Sequence, residues 1–306
     1  MPEKPLFIRR LEKNGCQGSV TSTTHLEELG EEVQSLHREG LLDKVLYREF
    51  AKYYFTPALP KSIPNAKSMI VVAVPQPMLR TTFIWKGNKV QVIVPPNYYD
   101  VNKVSWRARH ELKMAFEPRQ YKLVRALLPV KLLAVRSGLA RYGRNNITYI
   151  PKYGSFHRLT AFYSDYESSV DNWQDKEALP SCVKCKACID ACQTGAIQKD
   201  RFLIRAERCL TYRNEKDSKL GFPEWVGASV HDSIIGCMRC QKVCPYNRDV
   251  VDWCIDRGAF SEKETAYLLR GRFNGEKAAK MNKKLMRIGL DLSTFPRNLK
   301  VLLDME

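Results

Sequence analysis

The sequence Ser181-Cys-Val-Lys-Cys-Lys-Ala-Cys-Ile-Asp-Ala-Cys192 places four cysteines at the spacing C-x2-C-x2-C-x3-C. A second stretch, Gly236-Cys-Met-Arg-Cys-Gln-Lys-Val-Cys-Pro245, has the spacing C-x2-C-x3-C and ends in Cys-Pro, while Cys209 stands alone between the two runs. In bacterial ferredoxins such runs bind two [4Fe–4S] clusters, and the last cysteine of a run binds the other cluster. We therefore expect a ferredoxin-like module with two clusters.

This interlocked pattern predicts the ligands of each cluster. The first cluster would be bound by Cys182, Cys185, Cys188 and Cys244, and the second by Cys192, Cys209, Cys237 and Cys240. A pair of zinc sites with four cysteines each is the competing interpretation, because zinc also binds C-x2-C pairs. The interlocked run, the Cys-Pro ending and the total of eight ligands favour iron–sulfur clusters.

The composition indicates a soluble, cytoplasmic protein. The chain has 306 residues, of which 44% are hydrophobic, enough to bury a full core. No stretch reaches the roughly 18 consecutive apolar residues of a membrane span, so no membrane partner is expected. Crowded cysteines at metal-ligand spacing fit a reducing compartment. Cys16 and Cys254 stand apart, and we expect both to be free thiols.

The charge balance favours a polyanionic partner. The formal net charge is +17, and two clusters at about −2 each would leave roughly +13. Such a field attracts tRNA or another polyanion, although charge alone does not specify the fold or the ligand. A merely well-solvated basic surface is the alternative interpretation.

Outside the cysteine-rich segment the hydrophobic pattern mixes strands and helices, which predicts an α+β fold. We expect a helix from Leu26 to Leu36, strands at Ser68–Val74, Val90–Val94, Ile147–Ile150 and Leu159–Tyr163, and helical structure over 101–135 with breaks near Pro118 and Pro129. The β-branched strand Ser68–Val74 should lie at the centre of a sheet, buried on both faces.

Three parts are expected along the chain: an α+β domain over 1–170, the double-cluster domain over 171–255, and a basic helical segment over 256–306. The first boundary should fall within the polar stretch Asp165–Pro180. In the last part Ala278, Met281, Leu285 and Ile288 recur at helical spacing among lysines. We favour a helix that packs on the body over a dedicated RNA-binding helix.

Several segments together resemble the epoxyqueuosine reductases, cobalamin-dependent iron–sulfur enzymes that complete queuosine in tRNA and are related to reductive dehalogenases. The resemblance runs from about residue 60 to residue 250. Its landmarks are Asn65–Val74, Tyr99–Val104, Ser137-Gly-Leu-Ala-Arg-Tyr-Gly-Arg-Asn-Asn146, Tyr153-Gly-Ser155, Cys192-Gln-Thr-Gly-Ala-Ile197 and Ile235–Pro245. The glycine-rich segment before the clusters is the most specific of these.

The resemblance implies a nitroreductase-like N-terminal domain that holds base-off cobalamin, whose cobalt the clusters reduce to nucleophilic Co(I). It implies that an external low-potential donor supplies the electrons. It also implies a corrinoid pocket lined by Gly138, Leu139, Tyr142, Gly143, Arg144, Asn145, Tyr153, Gly154 and Ser155.

The chain departs from the family pattern at the catalytic acid. The family uses an aspartate just before a proline, whereas this chain has Arg125-Ala-Leu-Leu-Pro129 there. Asp100-Val-Asn102 replaces the usual Asp-Tyr-His, Gly138-Leu-Ala-Arg141 replaces Gly-Leu-Gly-Trp, and Gln193 replaces a proline. No helical-repeat extension follows the clusters. Tyr98, Tyr99 and Tyr142 are the candidate proton donors, since a tyrosine has this role in reductive dehalogenases.

Three functions are consistent with these features. The first is a cobalamin-dependent reductase of the epoxyqueuosine reductase type, acting on tRNA or on another substrate. The second is an accessory electron-transfer protein of the same fold that passes low-potential electrons to a partner such as a corrinoid protein. The third is a nucleic-acid-binding protein with structural clusters.

Overall fold

A computed structural model describes residues 4–54 and 58–304 of the chain. Packing divides the chain into two compact units. Unit 1 comprises Met1–Pro75, Asn102–Cys185 and Arg201–Leu203, and unit 2 comprises Gln76–Val101, Lys186–Asp200 and Ile204–Glu306. The stretch Asp165–Pro180 thus lies inside unit 1. These units follow packing, whereas the expected three-part division follows sequence motifs and stays a prediction.

Both units contain helices and strands. The helices are α1 (Leu6–Lys13), α2 (Leu26–Arg38), α3 (Lys44–Tyr54), α4 (Val101–Phe116), α5 (Val130–Arg136), α6 (Ala187–Asp190), α7 (Leu210–Asn214), α8 (Arg239–Lys242), α9 (Glu262–Leu269), α10 (Gly275–Met286) and α11 (Phe295–Leu303). The strands are β1 (Gln17–Ser22), β2 (Ser68–Pro75), β3 (Met78–Trp85), β4 (Asn88–Val94), β5 (Leu123–Ala126), β6 (Arg141–Tyr142), β7 (Thr148–Tyr149), β8 (His157–Ser164) and β9 (Cys254–Phe260).

Unit 1 is built on an antiparallel sheet with the strand order β1-β2-β8-β5. The predicted strand Ser68–Val74 lies in its interior, as expected, and is buried along its length. Alternate residues face two different cores. Met69 and Val71 pack with α2 and α5, while Ile70 and Val72 pack with α1 and α4. Helices on both faces explain why this antiparallel strand is apolar at consecutive positions.

Unit 2 contains a second sheet with the order β4-β3-β9. Strands β3 and β4 form a hairpin whose two turn residues, Lys86 and Gly87, both have positive φ, as tight hairpin turns with the right twist require. Strand β9 pairs parallel to β3. Helices α9, α10 and α11 bury Leu268, Leu285 and Leu299 against these strands.

The structure confirms several predicted elements, namely the helix at 26–36 and the strands at 68–74, 90–94, 147–150 and 159–163. The predicted helical structure over 101–135 is wrong in its middle. Helix α4 ends at Phe116, before a short turn that contains Pro118, and Leu123–Ala126 then pairs with β8 as an edge strand. Proline blocks continuation of the helix, and the open edge of β8 decides the conformation that follows.

The basic helix near the C-terminus packs against unit 2, as we expected. In α10, Met281 and Leu285 are buried, and Ile288 is buried just beyond the end of the helix. Two lysines of the polar face contact neighbouring side chains: Lys284 pairs with Glu264 at 2.7 Å, and Lys277 lies 4.4 Å from the ring centre of Tyr267. These contacts make α10 an element of the core with a basic outer face.

Candidate functional site

Four of the predicted cluster cysteines lie together in unit 2. Cys209 precedes α7, Cys240 lies in α8, and Cys237 follows Gly236, whose φ of +66° suits glycine. Cys192 follows α6 and interacts electrostatically with Cys209. Cys237 interacts in the same way with both Cys209 and Cys240. These four thiols therefore form one neighbourhood, although the sequence spreads them over 49 positions, from 192 to 240.

The environment of Cys209 and Cys237 keeps these two thiols protonated while no positive group is bound. Burial raises the pKa of Cys209, and the nearby Cys192 thiol raises it further. Burial also raises the pKa of Cys237, with Asp232 and the neighbouring cysteines adding to the effect. Four thiolates in a partly buried site need positive charge nearby, and the iron ions of an iron–sulfur cubane supply it. The all-sulfur donor set therefore fits the predicted cluster.

Several hydrogen-bond donors surround the same thiols. The backbone N–H groups of Thr211 and Tyr212 and the Thr211 hydroxyl all point to the sulfur of Cys209. Thr194 Oγ1 lies 3.6 Å from Cys192 Sγ, and the backbone N–H of Arg239 reaches Cys237. Donors to cluster sulfurs stabilise the more negative, reduced state and so raise the reduction potential. No sequence signal had drawn attention to the two threonines.

Buried amides hold the loop that carries Cys237. Asn214 donates to the Gly236 carbonyl oxygen at 2.8 Å. Asn298 of α11 donates in turn to the carbonyl oxygens of Asn214 at 2.8 Å and Ile234 at 2.9 Å. Both asparagine side chains are almost completely buried. Helix α11 thus holds the loop that carries Cys237, although more than sixty residues of sequence separate Asn298 from that loop.

The other four predicted ligands are divided between the units. Cys182 and Cys185 belong to unit 1, whereas Cys188 and Cys244 belong to unit 2, and all four are half-buried. The Cys182 carbonyl oxygen accepts hydrogen bonds from Arg144, at 2.8 Å from Nη2 and 3.2 Å from Nε. Arg144, predicted to line a corrinoid pocket, therefore anchors the start of the cysteine run.

The two cysteines outside the motifs form no disulfide within the residues that the structure describes, as expected. Cys16 is buried and Cys254 is half-buried. Over residues 4–54 and 58–304, no three or more histidine, cysteine, aspartate or glutamate side chains are grouped so as to hold a single metal ion.

Unit 1 contains a cavity of about 580 Å³ whose walls are mainly apolar. The segment from Arg125 to Leu132 forms one wall, and β8 forms another with Arg158–Ala161. Among the residues that the structure describes, the lining includes three cations, Arg125, Lys131 and Arg158, and no carboxylate. Such a pocket suits a large, mostly apolar ligand that carries an anionic group.

Most residues of the glycine-rich segment have local structural roles outside this cavity. A Cβ at Gly143 would lie 2.5 Å from the Tyr149 ring, so the glycine is needed for that contact. Gly138 ends α5 with a φ of +68°. The Asn145 amide donates to the Tyr149 hydroxyl at 2.9 Å. The remaining predicted pocket residues, Leu139, Tyr153, Gly154 and Ser155, also lie outside the cavity lining.

Tyr142 is the one residue of the predicted corrinoid pocket that lines the cavity. Its position is fixed by the pairing of β6 with β7 and by the Leu179 N–H, which donates to its carbonyl oxygen at 2.8 Å. Burial, with a smaller contribution from Glu32, raises the pKa of the Tyr142 phenol. It is therefore held as a neutral hydroxyl that can donate a hydrogen bond.

The other two candidate proton donors lie in unit 2. The Tyr99 hydroxyl donates to the Pro77 carbonyl oxygen at 2.6 Å, and its ring is buried, which indicates a structural role. Tyr98 donates to Glu215 and packs against Gly236, where a Cβ would lie 2.7 Å from the Tyr98 ring. Burial and the nearby Glu215 raise the Tyr98 pKa. The structure therefore does not bring the three tyrosines into one unit.

Comparisons with known proteins agree with this geometry. The family described as "4Fe-4S double cluster binding domain" matches residues 181–247. The epoxyqueuosine reductase of Cyclobacterium marinum is 35% identical over 115 residues, which cover 38% of this chain and 36% of that protein. That of Staphylococcus aureus is 24% identical over 239 residues, covering 75% of this chain and 60% of the relative. The matched region thus spans about a third of the first of these relatives.

Solved structures match over nearly the whole chain. The epoxyqueuosine reductase from Streptococcus thermophilus aligns with a TM-score of 0.69 at 19% identity, covering 97% of this chain and 80% of that chain. An epoxyqueuosine reductase solved with an epoxyqueuosine-modified tRNA-Tyr stem loop aligns with a TM-score of 0.67 at 20% identity, with the same coverage. These likenesses show a shared fold.

The fold and the cysteine set define a double-cluster iron–sulfur protein with mixed α/β architecture. The matched relatives and aligned structures are epoxyqueuosine reductases, to which this chain is similar in its cysteine-rich region and in its fold. Within the described part of the chain, no helix combines the length and the apolar character needed to cross a bilayer.

Proposed function

We propose that the chain is a cobalamin-dependent iron–sulfur reductase, in which two [4Fe–4S] clusters pass single electrons to a cobalamin held by unit 1. The observation that carries this proposal is the cavity beside Arg125–Pro129, the segment that corresponds to the catalytic loop of the family. On this proposal unit 1 is the nitroreductase-like part of the family plan. Bound cobalamin would supply a strongly nucleophilic, reduced cobalt centre.

We assign the first cluster to Cys182, Cys185, Cys188 and Cys244, and the second to Cys192, Cys209, Cys237 and Cys240. The spacing of the two runs supports both assignments. The electrostatic neighbourhood of the four unit 2 thiols further supports the second. Electrons would come from an external low-potential donor.

The cavity residues fit cobalamin in part. The apolar walls suit the corrin ring, and the guanidinium groups of Arg125 and Arg158 suit the phosphate of the nucleotide tail. Cobalamin is larger than the ligands that such a cavity encloses completely, so one side of it would extend beyond these walls. Tyr142 would contact the bound group, whereas Gly143 and Asn145 would shape the pocket indirectly by holding Tyr149.

We assign the proton donor to Tyr142. Tyr142 lines the cavity, and no carboxylate is found among the described residues of the lining to replace the family's aspartate. The raised pKa keeps the phenol protonated at neutral pH, but it also makes Tyr142 a weaker acid than a carboxylic acid. We therefore expect slower turnover than an aspartate would give, and Tyr142→Phe should reduce turnover while leaving cofactor binding intact.

The proposed substrate is a tRNA that carries a modified base. The net charge of +17 supports binding of a polyanion, and one structure of a related protein was solved with an epoxyqueuosine-modified tRNA stem loop. Reduction of an epoxide in a nucleoside to an alkene would take two electrons, delivered one at a time, and two protons supplied through the site. Both C–O bonds would break, a C=C bond would form, and the oxygen would leave as water.

The described part of the cavity lining holds no carboxylate, which favours a second candidate, an accessory electron-transfer protein of the same fold. In that case the clusters would be reduced and reoxidised by partner proteins. The purified chain would not convert epoxyqueuosine tRNA.

The test is the cobalt content of the protein after anaerobic purification, cluster reconstitution, incubation with cobalamin and desalting. Near-stoichiometric cobalt beside about eight iron atoms is expected for two [4Fe–4S] clusters. A matched variant, Arg158→Glu, should retain its iron and lose cobalt, because the new carboxylate would repel the phosphate. Full iron with no cobalt in the wild-type protein would refute the cobalamin proposal and leave the electron-transfer function.

A further inference from the structure

Helix α4 presents an exposed tryptophan that its own packing does not need. The apolar side of the helix, with Val104, Ala108 and Leu112, is buried in a core of unit 1. On the opposite side Trp106 is 65% exposed. A large aromatic side chain left in water contributes little to that core, and its surroundings on the helix decide whether it can serve an interaction.

The ring of Trp106 stacks against a side chain of the same helix. His110 lies one turn further on, with its ring centre 4.9 Å from that of Trp106 and the two planes only 15° apart. The spacing of four residues places both side chains on one face. The histidine thus covers one side of the indole, whose remaining exposed surface can stack with a planar group.

Basic side chains surround this stacked pair. Lys103, Arg107, Arg109 and Lys113 are all exposed on α4. The acidic residues of the helix and of the turn after it have basic partners: Glu111 pairs with Arg10 at 3.0 Å, and Glu117 lies 3.7 Å from Lys113. The face therefore combines an aromatic platform with an excess of positive charge, and we refer to Lys103, Trp106, Arg109, His110 and Lys113 as the α4 face.

We propose that the α4 face binds the single-stranded loop of an RNA, with an unpaired base stacked on Trp106 and phosphates beside the cations. Recognition of RNA commonly uses unstacked loop bases on aromatic rings together with electrostatic contacts to the backbone. An acidic protein could also pair with the cations, and competition by polyglutamate distinguishes that occupant from RNA. This inference rests on the proposed RNA substrate and names a surface that holds it.

The test uses the full-length, reconstituted protein and a fluorescently labelled, unmodified tRNA anticodon stem–loop, with a fully paired RNA duplex as the comparison ligand. Trp106→Ala should weaken stem–loop binding about 5- to 150-fold, the range expected for loss of one stacked base. Trp106→Phe should retain part of the affinity, since phenylalanine still offers a ring. Both variants should fold normally, because the residue is exposed.

A matched pair of charge variants separates specific from general attraction. Lys103→Ala with Arg109→Ala should weaken binding and reduce its salt dependence by the equivalent of one to two phosphate contacts. Lys280→Ala with Lys283→Ala on α10 removes the same charge from another basic helix and should change stem–loop affinity by less than twofold.

Three outcomes would overturn the proposal: unchanged affinity in Trp106→Ala, equal losses in both pairs of charge variants, or competition by polyglutamate as effective as that by RNA. The cobalt content of the same preparations distinguishes this failure from failure of the proposed function. Wild-type protein with bound cobalt but no effect of Trp106→Ala would refute only the α4 face, whereas loss of affinity without cobalt would refute only the cobalamin proposal.

Discussion

Replacement of Asn298 by alanine should release the loop that carries Cys237, although the asparagine lies in the last helix of the chain. Its side-chain amide donates to the carbonyl oxygens of Asn214 and Ile234, and Asn214 donates to that of Gly236. Alanine would leave two carbonyl groups without these donors. A buried polar group that loses its partner costs about 1–3 kcal/mol, and partial relaxation reduces the sum to about 2–4 kcal/mol.

The assay for this prediction is the rate at which reconstituted protein loses iron to a chelator, followed by cluster absorbance, together with urea unfolding of the same sample. Local opening that is easier by 2 kcal/mol corresponds to a roughly 30-fold larger open population. We therefore expect iron loss at least about 30-fold faster and a lower urea midpoint.

The matched control is Asn282→Ala on α10. The Asn282 amide is partly exposed and contacts Met286 Sδ at 3.8 Å, a distance that indicates a weak hydrogen bond. Its replacement should change stability by less than about 0.5 kcal/mol. Wild-type rates of iron loss in Asn298→Ala, or equal effects of the two variants, would refute the argument that α11 braces the cluster loop.

Three further substitutions test the site and its surroundings. Gly143→Ala should lower the free energy of unfolding by about 1–3 kcal/mol, because the new Cβ would lie 2.5 Å from the Tyr149 ring; an unchanged thermal midpoint would contradict this. Thr211→Val removes the hydroxyl that donates to Cys209 and should lower the reduction potential of one cluster by roughly 40 mV, the equivalent of about 1 kcal/mol for a one-electron couple. Thr211→Ser keeps a hydroxyl there and should retain the wild-type potential in an EPR-monitored redox titration. Burial lowers the pKa of His157 to about 4. The neutral histidine therefore contributes its full stability above pH 6.5, and this contribution is lost as the pH falls toward 4, by at most about 3 kcal/mol. The loss, read from urea midpoints, should be smaller in His157→Gln, and equal slopes of stability against pH in the two proteins would exclude this histidine as the cause.

The cysteine pattern was readable from the sequence because metal ligands of a cluster repeat at short, fixed spacings. The double-cluster family matches residues 181–247, which include all eight predicted ligands. The central strand at 68–74 and the amphipathic helices at 26–36 and near residue 281 were also predictable, since their burial patterns are local.

Other features depended on contacts between distant parts of the chain. Strand β5 forms because the edge of β8 is available to it, and β9 pairs with β3 across about 175 residues, so no local pattern indicated either pairing. That the glycine-rich segment lines a corrinoid pocket stays a prediction, while the packing of Gly143 against the Tyr149 ring and the place of Tyr142 in the cavity lining are features of the tertiary structure.

The sequence by itself therefore determined the kind of metal centre, because the ligands of a cluster depend on residue identity at short range. The tertiary structure alone decided which tyrosine lines a cavity, which asparagine holds the loop that carries Cys237, and that Trp106 remains exposed. These properties depend on contacts between side chains that are distant in the sequence. Hydrophobic burial and buried hydrogen bonds establish those contacts only when the whole chain packs.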